Sequence, residues 1–193
     1  HDALPIYDGQ ISAVANGQIY NFKPLRDQLT TKGHTFRSRS DCEVIVHAYE
    51  EYGDAFLERI EGMFGLAIHD RKRGRVLIAR DRFGIKPVYY REHDGTLWFG
   101  SEIKAILADE RVPRRLDVDA LQLYLWNASV PDPLTLFDGI RKLPPAHSLA
   151  FDLSVRTCEL RRYWRLTLGD GGGTAEATTE AMEAALRDSV ALH

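Results

Sequence analysis

Between residues 62 and 100 the chain changes its hydrophobic period. Phe64, Leu66 and Ile68 alternate with Gly65, Ala67 and His69, the two-residue repeat of a strand with one buried face. The basic turn Arg71-Lys72-Arg73-Gly74 leads into an apolar run over 76–81, and a further pair of runs over 88–91 and 97–99 flanks His93-Asp94-Gly95. Two antiparallel hairpins in succession commit the middle of the chain to a sheet. Helical periods lie in blocks on either side rather than alternating with single strands, which predicts an α+β layered fold and not a string of βαβ units.

The flanking elements follow from local signals. Ile11, Ala13 and Ala15 form an alternating strand that runs into Asn16-Gly17, a strong turn dipeptide expected to end it. Pro24, with Leu25 and Leu29 on one face and Gly33 at the end, predicts a helix over about 23–32. Ser40 with Glu43 reads as a capping box ahead of Val44, Ile45, Ala48, Tyr49 and Tyr52, so Asp41 is expected in the first turn of a second helix. A short helix over 55–60 and helices over 101–108 and 117–126 complete the helical set, the last with Val118, Leu121 and Leu125 on one stripe. The segment 131–145 carries four prolines and reads as an irregular loop, with a last hairpin over 148–151 and 158–164. Gly169-Asp170-Gly171-Gly172-Gly173 has the composition of a flexible linker, and Met182, Leu186 and Val190 mark a helix beyond it.

Composition bounds the chemistry loosely. With 193 residues and 44% hydrophobic content the chain can bury one domain core plus the start of another element. A net charge of -3 gives no electrostatic reason for a nucleic-acid or membrane partner, and no apolar run approaches the roughly 20 residues of a spanning helix. The two cysteines, Cys42 and Cys158, lie far apart without a partner motif, which favours a reducing compartment and the cytoplasm. His34, His47 and His69 show no ligand spacing along the chain, so no metal is expected. Arg71, Lys72, Arg73 and Arg75 read as a solvated hairpin tip, and Trp98, Phe99, Tyr89 and Tyr90 as core. The chain starts without methionine and stops inside an amphipathic run, the expectation for an internal piece of a longer polypeptide.

The residues that suggest chemistry are Asn16-Gly17-Gln18-Ile19-Tyr20-Asn21 and Ser38-Arg39-Ser40-Asp41-Cys42-Glu43. An Asn side chain beside a bare glycine N–H can aim two donors at one point, the arrangement that stabilises an oxyanion in acyl transfer. With Phe36-Arg37, Glu61-Gly62-Met63-Phe64, Ala79-Arg80-Asp81-Arg82-Phe83-Gly84-Ile85-Lys86-Pro87, Ser101-Glu102-Ile103-Lys104-Ala105 and Lys142-Leu143-Pro144-Pro145, they make the chain resemble the glutaminase domain of glutamine-dependent asparagine synthetases, which are class II glutamine amidotransferases.

The resemblance implies an αββα sandwich of Ntn-hydrolase type, N-terminally truncated. Residues 1–165 would be the partial glutaminase domain, 166–174 a Gly-rich linker, and 175–193 the first helix of an α/β ATP-binding synthetase domain. It implies that Asn16 and Gly17 form the oxyanion hole, that Asp41 holds the α-ammonium of glutamine, and that Gln18 stands at a substrate-binding position where the family more often has glutamate. The nucleophilic cysteine, with its own α-amine as base, would lie ahead of residue 1, and Cys42 would be a packing residue. Glutamine is then the substrate of this domain, ATP and Mg²⁺ are needed only by the synthetase part, and a homodimer is possible. The alternative is a nucleophile-less amidotransferase-like module beside an ATP-dependent cyclase, as in β-lactam synthetases. Aminosugar or purine amidotransferases fit less well, because the 101–105 and 143–145 blocks resemble the asparagine branch. The charged pair Arg80 and Asp81, in a turn with Gly84 and Pro87, is expected to brace the sandwich.

Overall fold

The computed structural model describes residues 6–7, 10–168 and 174–192. The linker reading over 169–173 lies outside the described residues. Strand β1 (Ile6–Tyr7) pairs with β2 (Ile11–Ile19), and β2 pairs along its whole length with β3 (Gly62–Asp70). Then come β4 (Arg75–Arg80), β8 (His147–Asp152) and β9 (Thr157–Arg162), giving an antiparallel six-stranded sheet in the order β1-β2-β3-β4-β8-β9. A second sheet holds β6 (Thr96–Gly100), β5 (Tyr89–His93) and β7 (Arg141–Lys142), in that order.

The two-residue period sorts side chains between two cores. Ala13 and Ile19 of β2, Phe64, Leu66 and Ile68 of β3, and Leu77 and Ala79 of β4 face one way, onto Leu25 and Leu29 of α1 (Phe22–Thr31), Val44, Ile45, Ala48 and Tyr49 of α2 (Glu43–Tyr52), and Phe56 and Leu57 of α3 (Phe56–Arg59). Ala67, Ile78 and Leu149 face the other way, onto Val88 and Leu143 of the second sheet and its approaches. Ile106 of α4 (Ile103–Ile106) closes a third cluster with Val112 and Ile140 against Tyr89 and Trp98. The layers therefore run helices, sheet, sheet, helix: the expected α+β fold and αββα order.

Several local expectations need correction. Asn16-Gly17 does not end β2, which continues to Ile19, because Gly17 answers a different demand. Its φ is +148°, and a Cβ there would lie 1.9 Å from the Met63 carbonyl oxygen, so the glycine allows β2 and β3 to approach inside the ladder. Ser40 and Glu43 do not form a capping box: α2 begins at Glu43 with Cys42 as N-cap and no side-chain cap bond. Asp41 consequently stands in the turn before the helix, not in its first turn. The helix expected over 101–108 shrinks to α4, and the proline-rich segment contains β7. On α5 (Val118–Asn127) only Ala120 is buried, and Val118 and Leu125 are 73% and 74% exposed, so the apolar stripe there meets no core among the described residues. Arg75 is not solvated. It donates to Tyr49 Oη and to the Asp54 carboxylate, while Tyr49 Oη donates to Asp70 Oδ2 at 2.8 Å.

The turn after β4 is organised by Asp81, which is fully buried. Its Oδ1 accepts from the N–H of Phe83 (3.1 Å) and Ile85 (2.9 Å), and its Oδ2 from the N–H of Phe64 (3.2 Å) and Lys86 (2.9 Å). Arg80 does not pair with it. The guanidinium donates to the carbonyls of Gly84, Lys86 and Leu143 and to the Asp132 carboxylate. Both residues brace the sandwich as expected, each through backbone groups rather than through the other.

Candidate functional site

Asn16, Gly17 and Gln18 lie on consecutive residues of β2, opposite Gly65, Phe64 and Met63 of β3. Asn16 shares the strand face of Val14, turned toward the second sheet, and its Nδ2 donates to Ser101 Oγ at 3.3 Å. Ser101 follows β6 directly, so this contact joins the two sheets at one end. Beside it lies a cavity of about 180 Å³, walled by Val14–Asn16 of β2, Gly65–Ala67 of β3, Val88, and Phe99–Ser101. The walls are almost wholly apolar, and Asn16 and Ser101 are the polar side chains on them. Phe99, expected in the core, is a cavity wall and 38% exposed. A Cβ at Gly65 would sit 2.6 Å from Val88 Cγ2, so the two sheets already touch across this glycine.

The ladder fixes where the Gly17 N–H points. Phe64, its partner on β3, turns both backbone groups toward β4: its N–H reaches Asp81 Oδ2, and its carbonyl accepts from the Asp81 N–H at 2.9 Å. The Gly17–Phe64 pair therefore has no mutual hydrogen bonds, and Gly17 directs its own N–H to the outer edge of β2. Ile19, two residues on, has the same orientation, and its N–H donates to Asp41 Oδ2 at 2.7 Å. The Gly17 N–H and the Asp41 carboxylate thus share one strand edge. Among the described residues β1 pairs with that edge only at Ser12 and Ala13.

Asp41 is carried by a loop that Glu43 holds in place. The Glu43 carboxylate, 4% exposed, accepts from the Arg37 N–H (2.6 Å), the Ser38 N–H (2.8 Å) and Ser38 Oγ (2.6 Å). Burial alone would raise its pKa, but the hydrogen bonds from Arg37 and Ser38 outweigh it and leave the carboxyl below its usual range. Arg26 also donates to the Ser38 carbonyl, so α1 and α2 both grip the loop. Glu43 and Ser101 are the site residues that local patterning missed. Nothing in a capping-box reading distinguishes a glutamate bonding its own helix start from one reaching five and six residues back.

The structure brings together Asn16, Gly17 and Asp41, with Gln18 on the same strand face as Asn16. Cys42 directly follows Asp41, but it does not face Asn16 across the cavity. Among the described residues no cysteine lines the cavity. Burial, with the adjacent Asp41 carboxylate, pushes the Cys42 thiol up to about 11. Burial and then Glu92 raise Cys158 to about 11 as well. Both are protonated near neutrality and make poor nucleophiles.

The chain was compared with known proteins. A glutamine amidotransferase domain family matches residues 2–164. Asparagine synthetase [glutamine-hydrolyzing] 2 of Bacillus subtilis is 38% identical over 164 residues, covering 82% of this chain and 22% of its own. Asparagine synthetase [glutamine-hydrolyzing] 3 of the same organism is 34% identical over 178 residues, covering 92% of this chain and 29% of its own. The chain thus spans less than a third of the length of either of these curated relatives. The glutamine phosphoribosylpyrophosphate amidotransferase of B. subtilis superposes with a TM-score of 0.58 at 17% identity, over 83% of this chain and 30% of that one, a likeness of fold.

Proposed function

The chain belongs to the glutamine amidotransferase domain family, and on that premise we propose that it is the glutamine-hydrolysing part of an enzyme that makes asparagine from aspartate. The observation that carries this reading is the convergence of three groups on one end of β2: the Asn16 amide on the cavity wall, the Gly17 N–H on the outer edge, and the Asp41 carboxylate on that same edge. Asp41 uses one oxygen on Ile19, and a carboxylate has further acceptor sites for the α-ammonium of glutamine. Attack on the side-chain amide turns the carbonyl oxygen into an oxyanion. Asn16 Nδ2 and the Gly17 N–H then donate to it more strongly than to the ground-state carbonyl, which is what lowers the barrier. The apolar walls give ammonia a dry exit, where it is not trapped as ammonium.

The nucleophile in this reading is the thiol of an N-terminal cysteine on a segment outside residues 1–193, and the polypeptide alone is inactive. The thiols of Cys42 and Cys158 are held up, and neither borders the cavity, which supports that assignment. ATP with Mg²⁺ would activate aspartate on a separate synthetase domain, beginning at 175–193 beyond a linker at 166–174. The proposal extends to a cytoplasmic setting and a homodimer. No helix of the described residues is long and apolar enough to cross a membrane.

The test is Asn16→Ala in the complete enzyme. Loss of one oxyanion donor should lower glutamine-dependent turnover about a hundredfold or more, while synthesis from free ammonia is preserved. A parallel fall in both activities would make Asn16 a structural residue and remove the basis of the reading.

A further inference from the structure

Away from this site, on the outer side of the helical layer, three donor atoms converge from two elements. His34 follows α1, whereas His47 and Glu50 are one turn apart on α2. His34 Nδ1 and His47 Nδ1 are 3.3 Å apart, His47 Nδ1 and Glu50 Oε2 are 3.3 Å apart, and His34 Nδ1 and Glu50 Oε2 are 3.6 Å apart. We propose that His34, His47 and Glu50 form a binding site for a divalent transition-metal ion of the Zn²⁺ class, with water completing a four-coordinate shell.

The argument is geometric first. Four ligands about 2.05 Å from a zinc ion at tetrahedral angles stand roughly 3.3–3.4 Å from one another. The three donor atoms reproduce one face of that tetrahedron to within a few tenths of an ångström. The far nitrogens supply a second, independent observation. His34 Nε2 lies 3.3 Å from Glu51 Oε2, and His47 Nε2 lies 3.8 Å from Glu43 Oε1. For His34, a carboxylate at hydrogen-bond distance from the far nitrogen places the proton there and leaves Nδ1 as a lone-pair donor, the arrangement typical of metal-bound histidine, whereas the 3.8 Å separation at His47 is an ion-pair distance only. The rings are also held. Phe36 packs edge-on against His47 with centroids 4.4 Å apart, and the side chains of His34 and His47 are 16% and 12% exposed, enough for an ion to enter.

Charge favours a cation. Glu43, Glu50 and Glu51 surround the two rings; of the nearby positive groups, the Lys32 ammonium is bonded to Glu51 at 2.5 Å and the Arg26 guanidinium lies over the Phe36 ring. Spacing along the chain hid this cluster, because thirteen residues and a change of element separate His34 from His47. A bound ion would tie the loop after α1 to the helix whose first residue, Glu43, holds the Asp41 loop. Its role would therefore be structural, stiffening the substrate side of the domain from behind.

The test uses the complete enzyme without a tag, stripped of metal and titrated with CoCl2 alone and then with ZnCl2. The expected result is a visible tetrahedral Co²⁺ band that saturates at one equivalent and is bleached by zinc, with Tm raised by about 5 °C or more at saturating zinc. Glu51→Gln should weaken binding about tenfold by freeing the His34 ring. The double variant His34→Gln and His47→Gln should lose the band, whereas His69→Gln, which alters a histidine on β3, should keep it. Absence of a saturable band in the unmodified protein overturns the proposal. So does an undiminished band in the double variant.

Discussion

At residue scale, the bond from the Ile19 N–H to Asp41 Oδ2 decides what a substitution at Asp41 would do. Asparagine keeps an oxygen for Ile19 but loses the charge that an ammonium ligand needs. Asp41→Asn should therefore raise the KM for glutamine in the complete enzyme about tenfold or more, with Tm within about 2 °C of the parent. An unchanged KM with a large fall in Tm would leave Asp41 as a brace alone. Glu43 offers a pH signature instead. Its carboxyl is held below the ordinary glutamate value of 4.5, so its contribution to stability is complete above that pH and is lost as pH falls through the lowered folded value. Glu43→Gln can offer only one acceptor atom to three donors, and should cost about 2–3 kcal/mol at pH 7. Urea unfolding of both proteins at descending pH should show the gap closing below pH 4.5. A constant gap would mean that packing, not charge, is what the substitution removes. Asp41 was singled out through the family resemblance, whose motif there is short and contiguous. Glu43 was misread because its partners lie behind it on a loop whose path only tertiary structure defines.

Elements show the same division between local and distant causes. The strand periods over 63–69 and 76–81 were legible because one face of each is packed against the helices and the alternation is written in side-chain size. The Asn16-Gly17 reading failed for a physical reason: the dipeptide signals a turn only when nothing opposes it, and here β3 runs opposite at a distance that excludes a Cβ. Asp81 is the comparable case in the β4 turn, a carboxylate that gathers four N–H groups from the turn and from β3. Asp81→Ala takes the acceptor from all four N–H groups at once, that of Phe64 buried and the other three half-buried. The expected loss is about 3 kcal/mol or more, read as a fall in the urea midpoint with the slope unchanged. A loss below about 1 kcal/mol would show that the turn closes without its anion. The apolar stripe of α5 illustrates the opposite limit: helical periodicity correctly found the element but could not say that Val118 and Leu125 would remain exposed.

For the whole molecule, the α+β class followed from the blocks of helical and alternating period and the αββα layer order from the family resemblance alone, while strand order followed from neither, since the β4–β8 pairing spans nearly seventy residues that carry no mark of it. The site sits where two sheets meet, and at that place the described residues leave two kinds of surface exposed together: apolar cavity walls, and the edge of β2 beyond Ala13 with the outward N–H of Gly17. A nucleophile-bearing segment laid along that edge would pair its backbone, cover the apolar walls and bring a thiol to the oxyanion donors. The separate effects can be distinguished by supplying the segment in two forms. Residues 1–193 alone should release no ammonia from glutamine and should aggregate through the open edge. Supplying a segment that begins with cysteine should recover both solubility and ammonia release, and supplying it with that cysteine changed to alanine should recover solubility alone. Robust ammonia release from residues 1–193 would instead assign the attack to Cys42 or Cys158. Their raised thiol pKa values then predict a rate that climbs with pH toward about 11, the distinguishing profile to measure in that event.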